Sequence, residues 1–274
     1  MKSKTLTEVM MEIFCMMCAI MVLAPILYAV SVSFMKPQDI LTVDHNILPP
    51  QATLENYKRA FTATPILRYM LNSFVIALIC SVSRVLIGTC AAFAFTFYEF
   101  PGKRVLFLLT LTTIMIPPDV LIVQNYVTVS KMQQLNTYLG VCSIFLVSAN
   151  NIFMLRQQFM TFSKSLHEAA KLDGASDLRF FFNIVLPTNQ PILFTIFISS
   201  FVNVWNQYVW PMLVTSKTEM RTIQVGITML KDRESSAFGP VIAGAVIALI
   251  PTILVFIVFL KKIVAGMMAG SIKE

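Results

Sequence analysis

Arg84 is the residue in this chain whose position asks most for chemistry. It lies between Ser83 and Val85 in the middle of a strongly apolar stretch. A cation at that depth in hydrocarbon costs at least about 2.5–3.5 kcal/mol unless it is paired or hydrated, so a functional role is the default reading. Asp119, just after Pro117-Pro118 in the next apolar stretch, falls at comparable depth if the two segments run antiparallel. Two readings follow: a structural Arg84–Asp119 pair, or a positive potential offered by Arg84 to an anionic solute. A second constellation is Asn203, Asn206, Gln207 and Trp210, spaced i, i+3, i+4 and i+7, which puts them on one face of a helix. Amides offer donors and acceptors together and suit hydroxyl-rich ligands, with Trp210 adding a flat apolar surface. The bland alternative is interhelix amide glue with an aromatic belt. Trp205 and Tyr208 face the other way and read as interfacial anchors, and Pro211 is expected to break the helix beyond them.

Other chemistries lack their parts. His45 and His167 sit in separate polar loops, which argues against zinc and Ser-His-Asp sites. Cys15, Cys18, Cys80, Cys90 and Cys142 all lie in apolar surroundings, with no polar partner to lower a thiol pKa, and read as small packing residues. No G-x-x-x-x-G-K-[ST] occurs, so a P-loop for ATP is missing.

The elements that must hold these residues are membrane spans. The chain has 274 residues, of which 57% are hydrophobic and 13% charged. That is about half the charge of a soluble domain and more apolar surface than a soluble core absorbs. Six segments approach the ~20 residues of a spanning helix: 11–34, 72–97, 105–129, 136–155, 190–214 and 239–260. The first is longer than a signal-peptide core and is read as a retained helix. Pro117-Pro118 is expected to interrupt the third segment, and broken helices often line pathways. A short helix is expected near Leu54–Phe61 and a tight turn at Glu99–Arg104 around Pro101-Gly102. The net charge of +7 comes from basic residues scattered at segment ends, as on membrane flanks, and does not indicate nucleic acid. The fold class is therefore all-α, a polytopic membrane protein in a single domain over 1–274.

One polar stretch, 156–187, is too long for a simple connection. Ser165-Leu166-His167-Glu168 fits a capping box that starts a helix. Ala169 to Leu172 are helix formers, and Gly174 suits the left-handed residue that ends one. Ser176 can cap a second short helix through Phe180 and Phe181, ended by Pro187. The product is a helix-turn-helix knob.

Glu168-Ala169-Ala170, three residues, Gly174, nine residues, then Ile184-Val185-Leu186-Pro187 resembles the cytoplasmic coupling loop of binding-protein-dependent ABC importers. The likeness runs along nearly the whole chain. It is greatest to the second permease subunit of carbohydrate-type importers, in the branch that includes glycerol-3-phosphate uptake systems. The resemblance implies a type I importer permease fold with six transmembrane helices, in a prokaryotic inner or plasma membrane with both termini cytoplasmic. It implies a second permease subunit, two ATPase subunits that hold ATP and Mg, and an extracytoplasmic solute-binding protein, with no cofactor in this chain. Glu168 would pair with a basic residue of the ATPase, Ala169 and Ala170 would permit close approach, and Gly174 would set the bend, with Leu186 and Pro187 closing the motif. The solute implied is sn-glycerol-3-phosphate or a related polyol phosphate, otherwise a sugar or oligosaccharide. A carrier driven by an ion gradient is the alternative. It would need intramembrane carboxylates, of which Asp119 is the only candidate.

Overall fold

The computed structural model describes residues 6–40, 47–162, 164–233 and 238–271, with side chains reported for 7–40, 47–162, 166–231 and 238–260. Every regular element among the described residues is helical, with no strand. Three helices are long and apolar enough to cross a membrane unaided: Thr7–Ser33, Ile66–Phe97 and Phe238–Leu260. Three further candidates among the described residues are bent pairs. Lys103–Ile114 and Pro118–Lys131 meet at 91°, Tyr138–Phe145 and Ala149–Phe159 at 47°, and Asp177–Thr188 and Gln190–Trp205 at 76°. Counting each pair once gives up to six spans, as the hydropathy of the sequence predicts.

The chain forms two compact units. The first comprises residues 1–68 and 225–250. Its opening helix, Leu6–Ser33, is apolar and exposed along most of its length, as a lipid-facing helix must be. The last carbonyls of any helix lack intrahelical donors, and here Asn56 supplies them. Its fully buried amide donates to Ser33 O at 3.0 Å and Met35 O at 2.7 Å. Asn56 belongs to the short helix Glu55–Ala63, close to the one expected near Leu54–Phe61. Gly239 comes so near that a Cβ there would meet Asn56 Oδ1 at 2.2 Å, so only glycine fits.

The second unit comprises residues 69–224 and 251–274. Most of the second span, Ile66–Phe97, lies in it. At 1.5 Å per residue its 32 residues reach about 48 Å, beyond the roughly 30 Å hydrocarbon core. The surplus is used: Ala92 and Phe93 pack with Leu155, Phe159, Phe180, Phe181, Val185 and Ile196 in one buried cluster. Gly102, at φ +80°, turns the chain from this helix into the third span, as Pro101-Gly102 predicts.

Two expectations about proline need correction. Pro187 does not end its helix. The run Asp177–Phe180 continues through a π turn at Phe181–Val185 into Leu186–Thr188 and stops at Asn189. A proline ring ordinarily clashes with the carbonyl four residues earlier, and the widened turn makes room for it. Asn189 then closes the end by donating to Val185 O at 2.7 Å. The fifth span likewise breaks before Pro211, not at it. Gln190–Trp205 ends at Asn206, and a new helix, Val209–Val214, carries Pro211 in its first turn, where a missing N–H is harmless.

Candidate functional site: a helical knob and a mid-span arginine

The polar stretch after the fourth span forms the expected knob. A helix over Lys164–Leu172 ends at Gly174, whose φ of +78° is the left-handed value reserved for glycine. A Cβ at Gly174 would meet nothing within 4 Å, so the constraint there is conformational. Ser176 Oγ accepts from Arg179 N at 3.3 Å and caps the second helix, as predicted. The side chain of Ser165 falls outside the described residues, which leaves the capping box without a structural description.

A joint unmarked in the sequence holds the two knob helices together. His167 Nε2 lies 3.1 Å from Asp177 Oδ1, and Lys171 Nζ lies 3.6 Å from the same oxygen. Tyr98, just past the second span, brings its hydroxyl near this carboxylate. Burial alone would raise the Asp177 carboxyl, but the bond to His167, the nearby Tyr98 hydroxyl and the charge of Lys171 outweigh it and hold the group below its ordinary value. Burial and the neighbouring carboxylate in turn push the Tyr98 hydroxyl up. Below this polar joint, the ring of Phe180 stands 5.3 Å from Phe97 and 4.7 Å from His167, and Phe181 lies 4.9 Å from Phe93. The knob is thus fastened to the end of the second span by aromatic packing, and its two helices are held to each other by the polar joint.

The motif residues divide between two faces. Glu168 and Ala169 are exposed, and Leu172, 89% exposed, extends the same outer surface. Ala170 is buried in the aromatic cluster, which corrects its expected place on the docking face. Its small side chain serves packing inside the chain. Leu186 is half-buried against the cluster and Pro187 is exposed. A cavity of about 470 Å³ opens beside the knob, bordered by Glu168, Lys171, His167, Glu99, Lys103 and Arg156. The turn after the second span and the knob therefore share one side of the unit.

Arg84 occupies the middle of the second span, opposite the break in the fourth. A broken helix strands its last carbonyls, and side chains from other spans reach three carbonyls beside this break. Trp210 Nε1 donates to Val141 O at 3.1 Å, Arg84 Nε to Phe145 O at 2.6 Å, and Ser83 Oγ to Leu146 O at 2.9 Å. Arg84 Nη1 then donates to Asn203 Oδ1 at 3.2 Å, and the guanidinium carbon sits 5.9 Å from the centre of the Phe145 ring. The Arg84–Asp119 pair does not form. Asp119 is exposed in the turn Pro118–Leu121, and among the described residues no carboxylate pairs with Arg84.

The expected polar face of the fifth span is only partly assembled. The helix stops at Trp205, so Asn203 is in it while Asn206 caps it and Gln207 follows. Asn203 and Asn206 are exposed, Gln207 is half-buried, and Asn206 Oδ1 accepts from Gln224 Nε2 at 3.2 Å. Trp210 departs from the expected face: it is 2% exposed and bonded to Val141 O, so it supports the broken fourth span and is not exposed beside Asn203. Trp205, expected as an interfacial anchor, is equally buried and stacks on Phe201 at 5.9 Å. Sequence reasoning also missed Asn151, whose amide donates to Ser200 Oγ at 3.0 Å and joins the fourth and fifth spans inside the core.

Comparison with known proteins agrees with this architecture. Residues 84–266 match the family described as binding-protein-dependent transport system inner membrane component. The chain is 32% identical over 257 residues to the sn-glycerol-3-phosphate transport system permease protein UgpE of Brucella abortus (strain 2308), covering 90% of this chain and 91% of that one. To the protein of the same name from Agrobacterium fabrum (strain C58 / ATCC 33970) it is 30% identical over 275 residues, covering 97% and 98%. Its fold is similar to one in the crystal structure of a bacterial ABC transporter involved in the import of the acidic polysaccharide alginate. The TM-score is 0.76 at 22% identity, over 95% of this chain and 99% of that one.

Proposed function

We propose that this chain, which belongs to the family of binding-protein-dependent transport system inner membrane components, is the permease subunit through which an ATP-driven importer passes sn-glycerol-3-phosphate or a related polyol phosphate. The observation that carries the solute class is Arg84. It is a cation in mid-span without an acidic partner among the described residues, held by a carbonyl and an amide that leave its charge unneutralised. A phosphate monoester would supply the missing negative charge, and the exposed amides of Asn203 and Asn206 suit the glycerol hydroxyls. The names of the relatives point the same way.

In this reading an extracytoplasmic binding protein delivers the solute to a pair of permeases, and two ATPase subunits bind ATP and Mg. Closure of the ATPases moves the knob, and the aromatic joint transmits that motion to the second span, where Arg84 sits. Glu168, Ala169 and the exposed Leu172 form the docking face, with Gly174 fixing its angle and Leu186 and Pro187 its base. In this reading both termini are cytoplasmic. An ion-gradient carrier is disfavoured because Asp119, the candidate carboxylate, is exposed at a helix break and pairs with no basic residue among the described residues.

Arg84→Gln tests the solute assignment. Loss of a charge-assisted bond is worth about 1.5–3 kcal/mol, or roughly tenfold to hundredfold in phosphate-ester uptake. Uptake of a neutral sugar should fall much less. An equal loss for both solutes would mean that Arg84 only props the broken fourth span.

A further inference from the structure

On the knob's side of the second unit, a cavity of about 700 Å³ lies between the turn after the second span and the end of the fourth. Its wall carries Lys103, Arg104 and Arg156 against a single acid, Glu99. Lys103 Nζ is committed to Glu99 Oε1 at 3.2 Å and Tyr98 O at 2.7 Å. Arg104 is exposed and makes no ion pair among the described residues. Arg156 uses Nε on Phe95 O at 3.4 Å and lays its guanidinium 4.1 Å from the centre of the Phe107 ring, which leaves its terminal N–H groups free of acidic partners. Two arginines without counter-ions therefore share one cavity. Neither the transport reading nor the joint that holds the knob uses them, although Arg156 also borders the cavity beside the knob.

What lies next to the cavity identifies the occupant. The third span starts at Lys103, and the turn that follows the arginine exposes only aliphatic side chains. Val105 is 60% exposed, Leu106 50%, Leu108 52% and Leu109 57%. A cationic mouth continuous with exposed aliphatic side chains matches a phosphate headgroup with acyl chains, and a soluble anion would leave the aliphatic part bare. The uncapped first turn of this helix adds its positive end to the same mouth.

We infer that this cavity is a binding site for an anionic phospholipid of the leaflet on the knob's side, its phosphate held by Arg104 and Arg156 and its chains along Val105 and Leu109. The headgroup would sit between the turn Glu99–Arg104 and the end of the fourth span, next to the knob itself, so its occupancy would stiffen the base from which the knob projects.

Native mass spectrometry of the full-length chain in its purified complex tests this, with phosphatidylglycerol and phosphatidylcholine offered together and inorganic phosphate in a separate arm. The wild type should retain phosphatidylglycerol in preference to phosphatidylcholine. Each cation near a membrane surface contributes about fivefold to anionic-lipid binding. Arg104→Gln should thus weaken retention about fivefold and Arg104→Gln/Arg156→Gln about twenty-five-fold, while Lys131→Gln, at the far end of the third span, changes nothing. Arg104 is exposed, so its variant keeps the fold even if the double variant does not. Unchanged phosphatidylglycerol retention in Arg104→Gln overturns the inference. So does inorganic phosphate that displaces the lipid at equal concentration, which would make the cavity a soluble-anion site. Crosslinking from Arg104→Cys to a partner subunit in place of lipid would do the same.

Discussion

Phe180→Ala isolates the joint between knob and membrane, because Phe180 touches the second span but neither the docking face nor the solute. The ring is 1% exposed and packs on Phe97 and His167 at 5.3 and 4.7 Å. Removing a fully buried phenylalanine costs about 3–5 kcal/mol, part transfer and part cavity. The low end applies here, because Phe93 and Phe97 can close partly over the gap from one side. A loss of about 3 kcal/mol from local attachment raises the population of the detached knob roughly 150-fold. Hydrogen exchange followed by mass spectrometry should show that acceleration in the amides of Lys164–Leu172, while amides in the middle of the second span stay protected. Transport should fall while ATPase subunits still co-purify, since Glu168 and Ala169 are untouched. Phe182→Ala is the control: it is 58% exposed and should shift neither quantity by more than a fewfold. Wild-type exchange in Phe180→Ala, or an equal effect in Phe182→Ala, would refute the aromatic joint as the transmitting element.

Gly174→Val should cost at least about 1–2 kcal/mol and reduce coupled transport, because a left-handed φ is strained for a β-branched residue although nothing blocks the space; normal uptake would show that the bend is not needed. The Asp177 carboxyl is held below its ordinary value, so the order it lends the knob is fully present above pH ~4 and is lost as pH falls further through its folded pKa. Knob exchange rates, corrected for intrinsic chemistry, should therefore be insensitive to this carboxyl between about pH 5 and 8; Asp177→Asn should loosen the knob at neutral pH, and no loosening would discount the joint. Single cysteines at Asn203 and Asn206 should react with a water-soluble thiol reagent and be protected by solute, whereas Trp210→Cys should stay unlabelled or misfold. Ready labelling at 210 with protection by solute would restore that residue to the pathway.

Much of this architecture is legible in residue types, and the gaps have identifiable causes. Hydropathy finds the spans because bilayer thickness fixes their length. Ser176 and Gly174 declare the knob because capping and left-handed turns demand particular side chains. The break in the fourth span at 146–148 contains neither proline nor glycine, so local reading passes over it. Its cause is tertiary: Arg84, Ser83 and Trp210 satisfy the carbonyls that a break releases. The error about Trp210 has the same root, since a face drawn at i, i+3, i+4 and i+7 assumes an unbroken helix, and this helix stops at Trp205. His167 and Asp177 stand ten residues apart across a turn, a separation that no helical or strand period marks. Ala170 shows the converse, a motif residue whose exposure only packing decides.

The most direct measurement is solute uptake into proteoliposomes that hold this chain with its partner permease and ATPase subunits, supplied outside with the solute-binding protein. Radiolabelled sn-glycerol-3-phosphate should enter only when ATP and Mg are enclosed. Entry should stop with vanadate or Glu168→Lys and persist when an uncoupler collapses every ion gradient. Uptake driven by an ion gradient without ATP, or ATP-driven uptake that ignores Glu168→Lys, would contradict the account.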